Sequence, residues 1–117
     1  MKKLVVISSI LCGALASNAA FAQGAAAAKI ERGNEVFQTW CAACHAPGPG
    51  HPGTQALEYR YQGAMPGALE ERNNLAPEYV KYIVRNGLFL MPFFRHVEIS
   101  DKDLDALAAY LARNNPR

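Results

Sequence analysis

Two cysteines and a histidine stand together in the run Cys41-Ala-Ala-Cys44-His45. Two thiols at this spacing on one helical turn can each form a thioether with a vinyl group on one edge of a porphyrin. The histidine that follows then lies under the iron as its proximal ligand. The run therefore predicts one covalently bound haem c, which is a one-electron redox centre.

Other proteins also use a Cys-x-x-Cys pair, either for thioredoxin-like dithiol chemistry or as half of a zinc site. A zinc site usually takes four protein ligands, and outside the run residues 23–117 offer only His51 and His96 and no further cysteine. A thioredoxin-like protein would place the pair in a βαβ pattern, which is not present around these residues. Haem attachment is the interpretation that fits.

The iron needs a second axial ligand or stays open to small molecules, and this choice decides the function. Met91 is the leading candidate because it follows the predicted end of a helix and is itself followed by proline. Met65, also followed by proline, is the main competitor, with His51 and His96 behind it. A His/Met pair is typical of electron-transfer cytochromes.

The side chains around Met91 are apolar: Leu88, Leu90, Phe93 and Phe94. They predict a dry, closed pocket on the second side of the iron. A haem enzyme or a gas sensor would instead need an open distal side with polar groups, and this remains the alternative from another functional class. We expect an electron carrier and assign no substrate chemistry to the chain itself.

The first 22 residues have the composition of a secretory leader. Lys2 and Lys3 precede an apolar stretch to about Leu15, and Ala20-Phe21-Ala22 forms an A-x-A cleavage site. The apolar part is short for a membrane span, so we expect cleavage before Gln23, no membrane span afterwards and a periplasmic location. Residues 23–117 then form one small domain, whose haem supplies part of its core.

Loss of Lys2 and Lys3 with the leader cancels the formal net charge of +2. No basic block or stripe remains that could neutralise phosphates, so nucleic acid is not an expected partner.

Apolar periodicity predicts an all-α fold. A helix is expected from Lys29 to Trp40 after a frayed entry at 23–28, followed by a loop at 46–53 and an irregular connection at 54–67. A further helix should begin at Pro77 and end at Asn86-Gly87. Ser100 and Asp103 form a capping box for a C-terminal helix with an apolar stripe, Leu104, Leu107, Ala108 and Leu111.

Local features predict one close contact between helices and several contacts at the haem. Gly33 within the first helix costs stability, which suggests that another helix approaches closely there. The loop after His45 can supply a backbone carbonyl to the His45 Nδ1 proton, and the region of Pro52 is the candidate source. Tyr59, Arg60, Tyr61, Arg95 and His96 are candidates for the haem propionates.

The order of these features resembles class I cytochrome c over residues 23–117. The resemblance rests on Gly33 and Phe37 before C-x-x-C-H, the middle helix, the Met-Pro loop, and a last helix with Leu107, Tyr110 and Leu111. It implies that the N- and C-terminal helices cross near Gly33 and Tyr110, with the haem in a cleft. It also implies Cys41 and Cys44 as thioether sites and His45 and Met91 as axial ligands.

A narrower resemblance rests on P-E-Y-V-K-Y-I-V-R-N-G, L-M-P-F-F-R and E-I-S-D-K-D-L-D-A-L-A-A-Y-L within residues 77–111. These segments are similar to the cytochrome subunit of 4-cresol dehydrogenase (p-cresol methylhydroxylase) and eugenol hydroxylase flavocytochromes. The stretch 48–71 is longer than in the compact cresol type. The resemblance implies a partner subunit with FAD that oxidises a 4-alkylphenol and passes electrons singly to this chain.

An electron carrier of this kind needs two docking partners. We expect Leu90, Phe93 and Phe94 to contact the FAD-containing dehydrogenase, and Arg95 to pair with an acidic partner or a propionate. The downstream acceptor would be another cytochrome or a blue-copper protein. The alternative is a freestanding periplasmic shuttle without a stable partner.

Overall fold

The computed structural model describes residues 11–116, with side chains described from residue 21 onward. In this range the chain forms α1 (Leu11–Trp40), α2 (Ala42–His45), α3 (Pro52–Tyr61), α4 (Pro77–Asn86) and α5 (Asp101–Leu111). A 3₁₀ turn spans Leu69–Glu71. An isolated bridge pairs Leu88 with Met91, and the described residues contain no strand. The prediction of an all-α fold is confirmed.

The first and last helices, α1 and α5, cross at Gly33. A Cβ atom at this position would overlap the Ala106 carbonyl oxygen and lie 2.6 Å from Cβ of Tyr110. One turn further along α1, the Phe37 and Tyr110 rings pack with their centroids 5.9 Å apart. Only glycine permits this approach, so the predicted close contact of two helices is confirmed.

The apolar core lies between α1, α4 and α5. Its buried members come from all three helices and from the loops beside them: Val36, Phe37, Cys41, Leu75, Val80, Val84, Ile99, Leu104, Leu107, Ala108, Tyr110 and Leu111. The α5 members include the predicted stripe, and Val80 and Val84 are the buried pair of α4. Cys41 therefore lies at the edge of the same core that joins the terminal helices.

Polar contacts fix the start of α5 and its neighbours. Ser100 Oγ accepts a hydrogen bond of 3.1 Å from the Asp103 backbone N–H, as the predicted cap requires. The Asp103 carboxylate pairs with Arg32 of α1 at 2.8 Å, and Asp105 pairs with Lys81 of α4 at 2.6 Å. Because these ion pairs are exposed to solvent, they contribute little to stability, and the apolar contacts set the helix positions.

The helix α1 extends further toward the N-terminus than expected. Residues 23–28 are helical rather than frayed, and they are exposed. Alanine has the highest helix propensity, so this Ala-rich segment continues the helix without tertiary contacts. Residues 1–10 of the predicted leader lie outside the described residues, and cleavage after Ala22 stays a prediction.

The helix α3 was not expected, because the sequence predicts a loop and an irregular connection here. Pro52 occupies its first turn, where a missing N–H costs nothing, and Gln62 ends it with a φ of 48°. Thr54 is its one buried residue, so the helix has no apolar stripe that a sequence pattern could reveal.

Within the described residues, no helix is both long and apolar enough to cross a bilayer.

Candidate haem site

The Cys-x-x-Cys-His run forms a single helical turn directly after α1. The backbone N–H groups of Cys44 and His45 both donate to the Cys41 carbonyl, at 3.0 and 2.9 Å. The Cys41 side chain is buried against the core, whereas Cys44 is exposed, and both are free thiols. One turn thus presents two unlinked thiols and an imidazole, which is the arrangement that a doubly tethered haem requires.

Burial controls the protonation of this turn. It raises the pKa of the Cys41 thiol to about 12, with a smaller contribution from Cys44. A dithiol enzyme needs a thiolate near neutral pH, so this cysteine is unsuited to thioredoxin-like chemistry. Burial also lowers the pKa of His45, which favours the neutral imidazole that a metal ion binds.

The ring of His45 is packed closely by the start of α3. A Cβ on Gly53 would lie 2.6 Å from Cε1 and 2.8 Å from Nδ1 of the ring. The buried Thr54 donates a hydrogen bond of 2.9 Å to the Ala46 carbonyl, which holds α3 in this position. Gly53 is thus required for the close approach, a function that the sequence analysis missed.

The expected carbonyl partner of His45 is absent. Nδ1 of this ring is buried and has no hydrogen-bond partner among the described residues. The prediction of a carbonyl from the region of Pro52 is therefore wrong, because Gly53 brings its α-carbon against the ring at that point. A buried ring nitrogen without a partner is rare in proteins and is typical of functional sites.

The loop that carries Met91 is closed on itself after α4. Leu88 and Met91 exchange two backbone hydrogen bonds of 3.1 and 2.9 Å, and Phe89 between them adopts a positive φ of 52°. Met91 is half-buried and packs against the core. The sequence correctly places a tight loop here, and the structure directs its methionine inward.

Phe94 joins this loop to the end of α1. Its backbone N–H donates to the Val84 carbonyl at 2.8 Å, and its ring meets Trp40 edge to face with centroids 5.9 Å apart. Trp40 precedes Cys41 directly, so the Met91 loop and the Cys-x-x-Cys-His turn adjoin the same part of the core. Phe94 packs against the core, which makes it unsuited to the docking contact expected from the sequence.

The other candidate iron ligands have partners of their own. The Met65 sulfur accepts a hydrogen bond from the Asn74 side-chain amide at 3.8 Å. Nδ1 of His51 lies 3.1 Å from the Ala43 carbonyl, and the exposed His96 lies 3.0 Å from the Asp101 carboxylate.

Exposed apolar side chains concentrate near the Met91 loop. Of the ten large apolar residues that are exposed in the described part of the chain, seven fall between positions 79 and 97. They are Tyr79, Tyr82, Leu88, Phe89, Leu90, Phe93 and Val97. Such a concentration marks a surface that another apolar body covers. Of the four residues predicted to line a dry pocket beside Met91, only Phe94 is partly buried, whereas Leu88, Leu90 and Phe93 are exposed.

Arg85 of α4 stabilises the C-terminal end of the Met91 loop through hydrogen bonds, a function that the sequence did not indicate. Its guanidinium donates to the carbonyls of Phe94 and Ile99 at 3.1 and 2.9 Å and pairs with Asp101 at 2.8 Å. The hydrogen bond from Arg85 is the main reason why the pKa of Asp101 is lowered. One side chain thus fixes both the end of the loop and the start of α5.

We expect Arg85→Met to lower the free energy of unfolding by about 2 kcal/mol or more, because two largely buried carbonyls lose charged donors. The loop should open before the rest of the molecule. Backbone amide hydrogen exchange at Met91 and Phe94 should therefore accelerate more than exchange in α5, and NMR measures both.

Arg95→Met is the matched control, since Arg95 lies on the same loop but pairs only with Glu98 in an exposed contact. The Arg95→Met variant should change the rates of backbone amide hydrogen exchange at Met91 and Phe94 only slightly. Equal acceleration in α5 and at Met91 in the Arg85 variant would mean that Arg85 supports the whole fold rather than the loop.

Comparison with known proteins gives two matches. Residues 28–111 match the family described as "Cytochrome C oxidase, cbb3-type, subunit III". The chain is also 35% identical over 113 residues to cytochrome c6 of Picosynechococcus sp. (strain ATCC 27264 / PCC 7002 / PR-6), covering 96% of this chain and 93% of the relative. No solved structure matches.

The family match spans α2 to α5 and the core-forming part of α1, so it includes the Cys-x-x-Cys-His turn, the Met91 loop and the crossing at Gly33. The relative extends the similarity over almost the whole chain. The chain belongs to this family of class I c-type cytochromes, and it is a monohaem electron-transfer protein that carries covalent haem c.

Proposed function

We propose that Cys41 and Cys44 form the two thioethers and that His45 and Met91 are the axial ligands of the haem iron. The support for His45 is its place in the Cys-x-x-Cys-His turn and its partly buried ring, whose lowered pKa favours the neutral form that binds a metal ion. The support for Met91 is its inward position on a closed loop beside the same core. Met65 fits less well, since its sulfur already accepts from Asn74.

This ligand set favours electron transfer over small-molecule chemistry. A thioether ligand stabilises ferrous iron and closes the second side of the haem. The residues beside Met91 are apolar, so they offer no group to orient oxygen or a peroxide. A haem enzyme or gas sensor would instead bind carbon monoxide in the reduced state without denaturant, which we expect this protein not to do.

We further propose that the electrons come from an FAD-containing dehydrogenase of 4-alkylphenols. The identity of this donor rests on the resemblance over residues 77–111, and the exposure of Leu90 and Phe93 at the tip of the Met91 loop, at 100% and 60%, supports a docking contact there. Apolar side chains this exposed are the usual anchors of a protein interface. Phe89, at 90% exposure, extends the same patch and replaces Phe94 as the third contact.

A freestanding shuttle is the second candidate. It is favoured by the match to a cytochrome c6, which covers 96% of this chain and 93% of that relative. In either case, we propose export through the leader Met1–Ala22, a periplasmic location, and another cytochrome or a blue-copper protein as the electron acceptor.

The two candidates predict different responses of the exposed loop. We expect that an FAD-containing 4-alkylphenol dehydrogenase, supplied with 4-methylphenol, reduces the ferric cytochrome and co-elutes with it on a sizing column. Leu90→Ser with Phe93→Ser should lower the second-order reduction rate at least about tenfold, because two apolar anchors are lost. Stopped-flow absorbance at the haem band measures the rate.

Tyr59→Ser is the matched control, because Tyr59 is also exposed, at 83%, but belongs to α3 and not to the Met91 loop. Its reduction rate should equal that of the unchanged protein. If the dehydrogenase does not co-elute with the cytochrome and the double variant is reduced at the same rate as the unchanged protein, the freestanding shuttle is the better proposal.

A further inference from the structure

Thr54 is a polar side chain in the interior of the molecule. It is 0% exposed and is among the largest side chains that are fully buried in the described residues. Its hydroxyl donates a hydrogen bond of 2.9 Å to the carbonyl of Ala46, the residue directly after His45. Because water does not reach this site, loss of the hydrogen bond would leave a buried polar group without a partner, which is costly.

The first turn of α3 runs alongside the Cys-x-x-Cys-His turn with a constant offset of eight residues. At one end, Nδ1 of His51 lies 3.1 Å from the Ala43 carbonyl oxygen, and at the other end the Thr54 hydroxyl forms its hydrogen bond. Between these two contacts, Gly53 lies against the His45 ring. Two polar contacts therefore flank the contact with the imidazole.

The contact between Gly53 and His45 restricts rotation of the ring. A Cβ atom on Gly53 would lie 2.6 Å from Cε1 of the ring and 2.8 Å from the Cys44 carbonyl oxygen. The backbone of α3 therefore lies directly against one edge of the imidazole. A helix backbone cannot rotate aside as a flexible side chain can, so the ring turns only if α3 moves.

Gly67 restricts α3 at a second point. A Cβ atom there would lie 2.5 Å from the Thr54 carbonyl oxygen and 2.9 Å from the Glu58 backbone nitrogen. Both are backbone atoms, so the chain at Gly67 packs directly on the helix. Since α3 has no apolar stripe, these close backbone contacts and the hydrogen bond from Thr54 fix its position.

We propose that Thr54 is a positioning residue for the axial imidazole of His45. Its hydrogen bond to Ala46 keeps the first turn of α3 against the ring and thereby fixes the orientation of the ring plane. Groups beside a metal ligand commonly orient the ligand in this way. The orientation matters because it determines how the orbitals of the ring overlap with those of the iron. The proposal rests on His45 as an axial ligand and is independent of Met91 and of the electron donor.

The test uses the ferric holo-protein with Thr54→Val, which keeps the shape of the side chain but has no hydroxyl. Proton NMR of the haem methyl groups reports the orientation of the imidazole, because the spread of their shifts is widest when the ring plane has one direction. We expect Thr54→Val to narrow this spread. It should also accelerate amide hydrogen exchange at Gln55 in α3 about tenfold, the factor for one lost buried hydrogen bond. Thr54→Ser restores the donor and should restore the spread.

Thr39→Val is the matched control. The Thr39 hydroxyl also donates to a backbone carbonyl, that of Glu35 at 2.8 Å, but this hydrogen bond lies on the exposed surface of α1. The control should leave the methyl shifts and the exchange at Gln55 unchanged. A less stable Thr54→Val protein with an unchanged methyl spread would overturn the proposal, as would an equal narrowing in Thr54→Ser.

The ring protons of His45 distinguish failure of this proposal from failure of the ligand assignment. In the unchanged ferric protein the iron shifts them strongly if His45 is its ligand, and ordinary shifts would contradict the ligation itself. If Thr54→Val yields no holo-protein, Gly67→Ala decides, since it displaces α3 but keeps the Thr54 hydroxyl. A changed methyl spread in that variant supports the proposal, and an unchanged spread contradicts it.

Discussion

Replacement of Gly33 with alanine is expected to lower the free energy of unfolding by about 2 to 3 kcal/mol, the cost of overpacking a rigid contact. The direction of this change is informative, because replacing glycine with alanine inside a helix normally raises the free energy of unfolding by up to about 1 kcal/mol. Here the new methyl group would overlap the Ala106 carbonyl oxygen and approach Cβ of Tyr110. Neither atom can move aside by a side-chain rotation, because one is a backbone oxygen and the other is a Cβ attached directly to the backbone. The helices α1 and α5 must therefore separate. Chemical denaturation of the holo-protein measures the loss.

Gly24→Ala is the matched control in the same helix, since a Cβ there meets nothing within 4 Å. It should leave stability unchanged or slightly higher. A stabilised Gly33→Ala protein would show that the two helices do not cross as closely as described. A larger residue, as in Gly33→Val, should prevent accumulation of the folded holo-protein.

The crossing of α1 and α5 could be predicted because its signals are local. Gly33 is a poor helix former inside a segment of good helix formers, which indicates a close contact at that position. Ser100 and Asp103 mark the start of α5 by a cap between residues only three positions apart. The apolar stripe of α5 repeats at helical spacing. Each of these features carries its structural meaning within one or two helical turns, so no tertiary information is needed.

The features that were missed depend on residues far apart in sequence. The helix α3 buries only Thr54, which donates a hydrogen bond to the Ala46 carbonyl. Its sequence therefore has no apolar periodicity that would predict a helix. Arg85 acts on carbonyls 9 and 14 residues away. Arg72 is buried between Tyr61 and a segment held by the C-terminal residues. A single sequence shows such residues only as ordinary surface cations.

The candidate site was predictable in its residue types but less so in its geometry. Cys41, Cys44 and His45 follow from their spacing alone, and the tight loop at Met91 follows from the helix end and the proline beside it. The partner of His45 Nδ1 was predicted wrongly, because the choice among nearby carbonyls depends on how α3 packs against the ring. That packing is set by Gly53, whose contact with the ring no local pattern encodes.

Met91→Ala is expected to remove the sulfur-to-iron charge-transfer band of the ferric protein and to lower the reduction potential by on the order of 0.1 V or more. Axial ligands set haem potentials over a range of about 0.8 V, and the soft thioether favours ferrous iron. The reduced variant should also bind carbon monoxide, because the second side of the iron becomes open. Absorption spectroscopy and a redox titration measure these changes.

Met65→Ala is the control for the competing ligand. Its sulfur accepts from Asn74, so its loss should leave the charge-transfer band and the potential in place. Loss of the band in this variant, together with an unchanged Met91→Ala spectrum, would move the sixth ligand to Met65.

A second variant separates loss of the ligand from loss of packing. Met91 is half-buried against the core, so its truncation to alanine also removes apolar contacts, and the cost should lie at or below the low end of the range of about 2 to 5 kcal/mol for buried methionines. Met91→Leu keeps most of the apolar volume but has no sulfur, so its packing cost should stay below about 1.5 kcal/mol. If sulfur ligates the iron, Met91→Leu must lose the band and lower the potential as Met91→Ala does, while its loop stays closed. A folded Met91→Leu protein that retains the band would exclude Met91 as the ligand, whatever the alanine variant does.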